Sequence, residues 1–584
     1  MKRSTLILTI LLLMALLSCL MALALFMTLE LPAPTEPTES TVTEPTTEPT
    51  TEPTTEPTTE PTTEPTEPPT EPEPTEPPTP NLEGVGQTSN SNPNTWGVKW
   101  EILSNGTVLD TYHRGETISF GNGKNYAALP GIFTFRGDNY RSGAAYGYVD
   151  TSKQSLQTIW SREISALKKG TGSGTWTGCG WTGQPLMVQW DEETKQHMNL
   201  YPAKKAKAGL VEVIYATLDG HIYFYDLDDG TYTRDPIDMG MAFKGAGSLD
   251  PRGYPILYVG AGDSTASGKV PRMFIISLID GKILYEYGNG DDDRLRSWTA
   301  FDSAPLVSQE TDTLIWPGES GLLYTMKLNT SYNRETGELS VAPSDMVKTR
   351  YSTTRGRTYG YEASAIAVDH YLYIADNGGM LFCVDLHTMA LMWAQNVKDD
   401  INATPVFEWG DDGKGYLYIG SSMEYTNGIV YMSKIDAATG EIIWERSVNN
   451  IYFDSSVSGG ILSSPVLGKK GTELEGMIIW SISRTPSYSG GLLMALDTQT
   501  GDIIWKTQLN RYCWSSPVAV YDEAGNAKVI LCDSAGDVMM INGTTGKVLT
   551  SVNIGSNVEA SPAIFNDMLV VGTRGMQVWG VKIS

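Results

Sequence analysis

The sequence predicts an all-β protein, an eight-bladed β-propeller of four-stranded blades preceded by a transmembrane helix and a Thr/Glu/Pro stalk. Three observations predict it. A strand–turn–strand unit recurs from about residue 180 onward, helical periodicity is nearly absent, and composition changes sharply near residue 80.

The repeat is plainest in IVYMSKIDAATGEIIW (429–444), GLLMALDTQTGDIIW (491–505) and DVMMINGTTGKVLT (537–550), with fainter copies at 381–393, 273–287 and 222–233. Asp436, Asp497 and Asn542 open the turns by bonding their side chains to the backbone, and Gly supplies positive φ, so these residues are read as turn chemistry. A second element precedes each clear copy: ATPV at 403–406, SSPV at 463–466 and 515–518, ASPA at 560–563, with earlier versions SAPL at 303–306 and GQPL at 183–186. Between the two lies an apolar strand, as in YLYIADNGG, MIIWSIS and LVVGTRG. The prolines at 405, 465, 517 and 562 are 60, 52 and 45 residues apart, a spacing that suits four-stranded blades. Inner strands begin near 183, 246, 303, 362, 403, 463, 515 and 560. The last blade has three strands of its own, and LQTIWSREI (156–164) supplies the fourth, its Trp160 standing where Trp393, Trp444 and Trp505 stand in theirs. Such tryptophans pack between neighbouring blades.

With SPV, an apolar strand ending in Gly, and L-x-A-L-D-x-x-T-G-x-x-x-W in sequence, the blades resemble the PQQ-type repeat. Quinoprotein alcohol dehydrogenases and the outer-membrane β-barrel-assembly lipoproteins share that repeat. FRGDNYRSG at 135–143 resembles the segment that leads into the propeller in such proteins. The resemblance covers roughly 130–584 and is strongest over 400–550. In the enzymes it implies a quinone held in the channel over Ca²⁺ with an Asp as base, and two adjacent cysteines in the alcohol dehydrogenases. Here Cys179, Cys383, Cys513 and Cys532 are isolated, and no stretch matches the calcium and base motifs. No catalytic residue and no cofactor is therefore expected. A PQQ- and calcium-dependent dehydrogenase is the alternative reading, since shared blades mean shared architecture only.

Ahead of the repeats come three further segments. Lys2 and Arg3 precede a charge-free run over 4–29, long enough to cross about 30 Å of hydrocarbon and longer than a signal-peptide core. Residues 1–31 are read as an uncleaved signal anchor, with LLSC at 16–19 offering Cys19 as a rival lipidation site. Residues 32–80 are TEPT-rich: 33–80 hold 12 Glu and no Lys or Arg, and too little apolar surface to fold. A polyproline-like stalk here reaches ~150 Å at about 3.1 Å per residue. Residues 81–130 alternate around an Asn-Gly turn and read as a β-hairpin segment, and 131–584 as the propeller. The protein is thus expected in the cell membrane, single-pass, its C-terminal domain outside, in a Gram-positive-type envelope.

Net charge is −26, and 55 acidic residues still face 40 basic ones from 81 on, which excludes a nucleic-acid binder. The five His show no zinc spacing, and GDSTASGKV (262–270) fails the phosphate-loop spacing. Asp291, Asp292 and Asp293 read as a solvated loop. The segments entering the inner strands are aromatic and charged: GCGWTGQP, RSWTAFDSAP, RTYGYEASA, RYCWSSP and NVEASP. They place Trp181, Trp298, Asp302, Tyr361, Glu362, Trp514 and Glu559 around one mouth of the channel, as a rim for a protein, peptide or cell-wall ligand. The expected function is a non-catalytic binding or scaffolding module held to the membrane by the N-terminal helix. N-terminal mass analysis of the mature protein checks the anchor. Residues 1–29 should be intact, and a diacylglyceryl Cys19 at the N-terminus would establish the lipoprotein instead.

Overall fold

In the computed structural model, residues 82–584 are described apart from 171, 181–182, 264–267, 289, 358–359 and 453–457. The anchor, the stalk, Cys19 and Trp181 lie outside the described residues. Among those described, no helix is long and apolar enough to cross a membrane.

Eight antiparallel sheets make the ring. Blade 7 is the plain form: Val518–Tyr521, Ala527–Cys532, Asp537–Asn542 and Val548–Asn553, joined by tight turns. Its third strand alternates apolar side chains toward both neighbours, and its fourth faces solvent. Blades 2, 4, 5 and 6 repeat it. Thr439, Thr500 and Thr545 donate their backbone N–H to Asp436 Oδ1, Asp497 Oδ1 and Asn542 Oδ1, so those residues do serve the turns.

Blades 1, 3 and 8 carry more than four strands, because N-terminal segments pair with them. Gly131–Ile132 lies inside the first strand of blade 1, and Ala145–Tyr146 runs parallel to Ala563–Phe565 of blade 8. The hairpin Lys99–Ser104 and Thr107–Leu109 adds two strands to the outer edge of blade 3, with Trp100 opposite Tyr351. That hairpin belongs to a strap along the edges of three blades. Gly86 N–H donates to Ala438 of blade 5, Ala394 of blade 4 donates to Ser91, and Trp100 Nε1 donates to Met389. The strap therefore covers edges that would otherwise be open to pairing.

Ring closure joins the two ends of the propeller. Leu156–Glu163 is the outer strand of blade 8, antiparallel to Gln577–Ile583, with Trp160 opposite Gly580. Each repeat tryptophan crosses to the next blade and donates its indole N–H to a turn carbonyl there. Trp160 bonds Leu227 at 2.8 Å, Trp393 bonds Ala437 at 3.1 Å, Trp444 bonds Thr498 at 3.0 Å and Trp505 bonds Gly543 at 3.0 Å. The turn glycine that receives the ring has two reasons to be glycine. Gly501 has φ +73°, and a Cβ there would stand 2.7 Å from the Trp444 ring.

The Ser/Thr of the SP element forms a girdle round the channel. Its hydroxyl accepts the N–H at the same position of the preceding blade: Ala304 to Ser364, Ser364 to Thr404, Ser464 to Ser516, and Ser516 to Ser561, at 2.9–3.1 Å. Inside the girdle sits FRGDNYR. Arg136 donates to the carbonyls of Pro517 and Pro465 at 2.7 and 2.9 Å, and Arg141 to those of Ala365 and Ala304 at 2.8 and 3.1 Å. Both side chains are buried, and loss of hydration pulls both guanidinium pKa values down to about 10. Tyr140 lies further along the inner strands, against Phe407 at 4.8 Å. Replacing Trp160 by Ala should cost about 3–5 kcal/mol of stability, since it empties the blade 8–blade 1 seam and removes a buried donor. Urea unfolding measures this; a loss under about 1 kcal/mol means that the seam does not depend on the indole.

Candidate functional site

One mouth of the channel is built from the segments that enter the inner strands and from the turns after the second strands. A stretch spanning blades 2 to 5 is rich in carboxylates. Trp298 is exposed at its lip, its ring 4.8 Å from Lys244 Nζ. Below it Asp302 is fully buried, its Oδ2 3.5 Å from that ammonium and its carboxylate hydrogen-bonded to the Glu319 carboxyl. Gly262 makes room for it: a Cβ there would stand 2.5 Å from Asp302 Oδ1.

Glu319 stands on the next turn. Its Oε2 accepts from Arg296 Nη2 at 2.8 Å. Burial, with Asp302 and Glu362 nearby, pushes its pKa well above the usual carboxylate range. Asn377 bridges onward, its Nδ2 reaching Glu362 Oε2 at 3.3 Å and Asp400 Oδ1 at 3.0 Å. Asn402 and Ser422 complete the set at Asp400, whose pKa burial raises to about 7, aided by Glu362. Asp376 beneath accepts from Tyr351 Oη and the Met380 N–H, and burial pushes it up to about 8.

Across the mouth, over blades 6 to 8, the surface is basic and aromatic. The Arg484 guanidinium lies 4.1 Å from the Tyr512 ring centroid, 4.4 Å from that of Tyr488 and 5.8 Å from that of Trp514. It is held by the carbonyls of Ser458 and Tyr488. Glu559 lies 3.5 Å from Arg574 and accepts from Asn557, and burial raises its pKa.

Of the residues singled out from sequence, Trp298, Asp302, Glu362, Trp514 and Glu559 come to this mouth. Trp298 is the exposed aromatic among them. Tyr361 has no exposed surface; it packs 6.0 Å from Tyr351 and is core. Sequence reasoning missed Lys244, Glu319, Asn377, Asp400, Arg484 and Arg574. Glu319, Asn377, Arg484 and Arg574 follow the second strand of their blades at equivalent places, as in WPGES, IADNG, SISRT and VGTRG, and that alignment was the available signal. The run 291–293 also differs from the solvated loop expected. Both Asp291 oxygens lie 2.9 Å from Lys348 Nζ, because a blade 3 lysine reaches across to it.

Among the described residues no three His, Cys, Asp or Glu gather round one point as a metal ion requires. Cys179, Cys383, Cys513 and Cys532 are each free and buried, with no adjacent pair.

The fold and the repeat define the class, an eight-bladed β-propeller with PQQ-type repeats in its C-terminal blades. Residues 489–584 match the family described as outer membrane protein assembly factor BamB. No curated protein matches the sequence. Among solved structures, the chain is similar to BamB from Moraxella catarrhalis, at 18% identity and TM-score 0.43 over 73% of this chain and 98% of that one. It is similar also to quinohemoprotein alcohol dehydrogenase ADHIIG from Pseudomonas putida HK5, at 14% and 0.49 over 78% and 80%. A third is the quinohemoprotein alcohol dehydrogenase from Comamonas testosteroni, at 12% and 0.38 over 79% and 82%. Such distant likenesses carry no argument about function.

The buried carboxylates give the protein a pH dependence with a definite sign. Their folded pKa values lie above the unfolded ones, so the folded state holds more protons between about pH 4 and 8 and loses stability as pH rises through that window. Glu319→Gln should raise the melting temperature at pH 8 and leave it nearly unchanged at pH 4.5. An equal effect at both values would show that Glu319 is not held neutral.

Proposed function

We propose that this chain is a membrane-anchored, extracytoplasmic binding or scaffolding module that presents the channel mouth to a protein partner and performs no chemistry itself. The observation that carries this reading is the mouth: exposed Trp298, half-buried Trp514, and charged groups of both signs stand over a channel closed from within by Arg136 and Arg141. A closed channel leaves the rim as the working surface, and aromatic anchors among charged groups are the usual ingredients of a protein interface. The charge-free run at 4–29 and the TEPT stalk support the anchored, outward placement. A match over 489–584 to a family described as an assembly factor is in keeping with a binding role.

Affinity capture with the full-length protein tests the reading, with Trp298→Ala and Trp514→Ala made singly. Each variant should lose most of the captured partner at a melting temperature within a few degrees of the parent. Capture that survives both substitutions would place the working surface elsewhere. Reproducible dye reduction with PQQ, Ca²⁺ and an alcohol would replace the binding reading with an enzymatic one.

A further inference from the structure

The strap that covers the blade edges crosses a pair of histidines. Beyond its hairpin it continues through 114–120 over the turns of blade 4, where Ile118 and Phe120 are buried. Arg114 donates its backbone N–H to the His387 carbonyl at 2.7 Å and its Nε to the Leu386 carbonyl at 3.1 Å. Phe120 and Asp369 exchange backbone hydrogen bonds at 2.7 and 3.2 Å. Between these two ties the Ile118 N–H donates to a side chain, His387 Nδ1, at 3.4 Å.

That acceptor exists only while His387 is neutral, with its proton on Nε2. Protonation turns Nδ1 into a donor facing a donor, and the N–H of buried Ile118 loses its partner. The His370 ring stacks on His387 at 4.5 Å, and His370 Nδ1 lies 3.0 Å from Asp369 Oδ2. Its hydrogen bond with Asp369 raises the His370 pKa, so His370 takes up its proton first. Burial, and after it the His370 charge, lowers the pKa of His387.

The charges around His387 divide by element. Asp369, His370 and Asp385 all belong to blade 4 and stay beside it whether or not the strap is seated. The strap adds the Arg114 cation and the Ile118 donor, and both oppose a charged His387. Its Glu116 pairs with Lys327 instead. The seated strap therefore binds fewer protons than the lifted one. Its stability is complete above the ordinary His value of about 6.5 and falls as pH drops below it.

We propose that His387 is an acid-sensitive clasp: when it is protonated, residues 114–120 lift from the turns of blade 4 and expose the apolar side chains of Ile118 and Phe120. Hydrogen–deuterium exchange of the full-length protein tests this, read as protection relative to an unstructured chain at the same pH. Protection of 114–120 should fall about tenfold from pH 7.5 to pH 5.0, since one proton linked to opening is worth up to a factor of ten per pH unit below about 6.5. The blade 7 strands Ala527–Cys532 and Asp537–Asn542 should keep theirs. His387→Asn retains an acceptor in the place of Nδ1 and does not titrate, so its strap should stay protected at both pH values. His387→Leu has no acceptor, and protection of 114–120 should be low at both. The Asn variant decides the matter if the Leu variant does not fold. Equal protection of the parent strap at the two pH values overturns the proposal. So does an equal acid loss in His387→Asn, which assigns the response to other groups. Loss of protection in blade 7 together with the strap would mean general acid expansion, and the clasp would fall with it.

Discussion

Two guanidinium groups hold this ring from the inside. Arg136 and Arg141 each bridge the carbonyls of two inner strands, in blades 6 and 7 and in blades 3 and 4. Burying a cation costs several kcal/mol, and hydrogen bonds to a charged group return about 1.5–3 kcal/mol each. Those bonds are therefore what makes the arrangement tolerable: Arg141 makes four of them, and Arg136 makes two while its buried Nε has no partner. Arg136 and Arg141 both adopt positive φ, at 59° and 61°, which folds the segment tightly enough to fit the channel. Only a ring of the right diameter presents all these carbonyls at once, so the plug acts as a gauge of blade number.

The girdle of hydroxyls and the crossing tryptophans are the circumferential counterpart of that radial tie. Proline at 465, 517 and 562 has no N–H to satisfy, which simplifies the inner wall, and Ser516 and Ser561, before the last two, cap the neighbouring blade. The SP element is thus explained by contacts between blades, and the D-x-x-T-G turn by contacts both within a blade and between blades. Sequence periodicity survives best where both kinds of contact are needed.

That is also why the fold was legible and the site only partly so. Strand spacing, turn residues and Trp160 place eight blades and their closing strand, because each depends on a local pattern repeated along the chain. The hairpin added to blade 3 shows in its alternation and Asn-Gly turn, but the extra strands of blades 1 and 8 leave no such mark, since Gly131–Ile132 and Ala145–Tyr146 are two residues long and borrow their pairing from distant strands. At the mouth, the entry segments showed Trp298, Asp302 and Glu362. Lys244 and Asp400 come from other blades, and Glu319 from the turn after the second strand of blade 3, so they meet the entry segments only in space. Tyr361 shares the aromatic, charged signature of the rim yet turns into the core against Tyr351, a difference of side-chain direction that composition does not encode.

Ring closure has a consequence for the order of events during synthesis. Leu156–Glu163 leaves the ribosome before any complete blade, and its mate Gln577–Ile583 is the last strand of the described chain to emerge. Throughout translation the nascent polypeptide carries an unmated strand at its leading end, and the growing stack of blades is an open arc. Long-range pairing of this kind is slow to form, and the half-built arc displays sheet edges to any neighbour. Once the two strands meet, unfolding has to part them before any blade can peel away, so the same geometry that delays maturation acts afterwards as a latch on the finished ring.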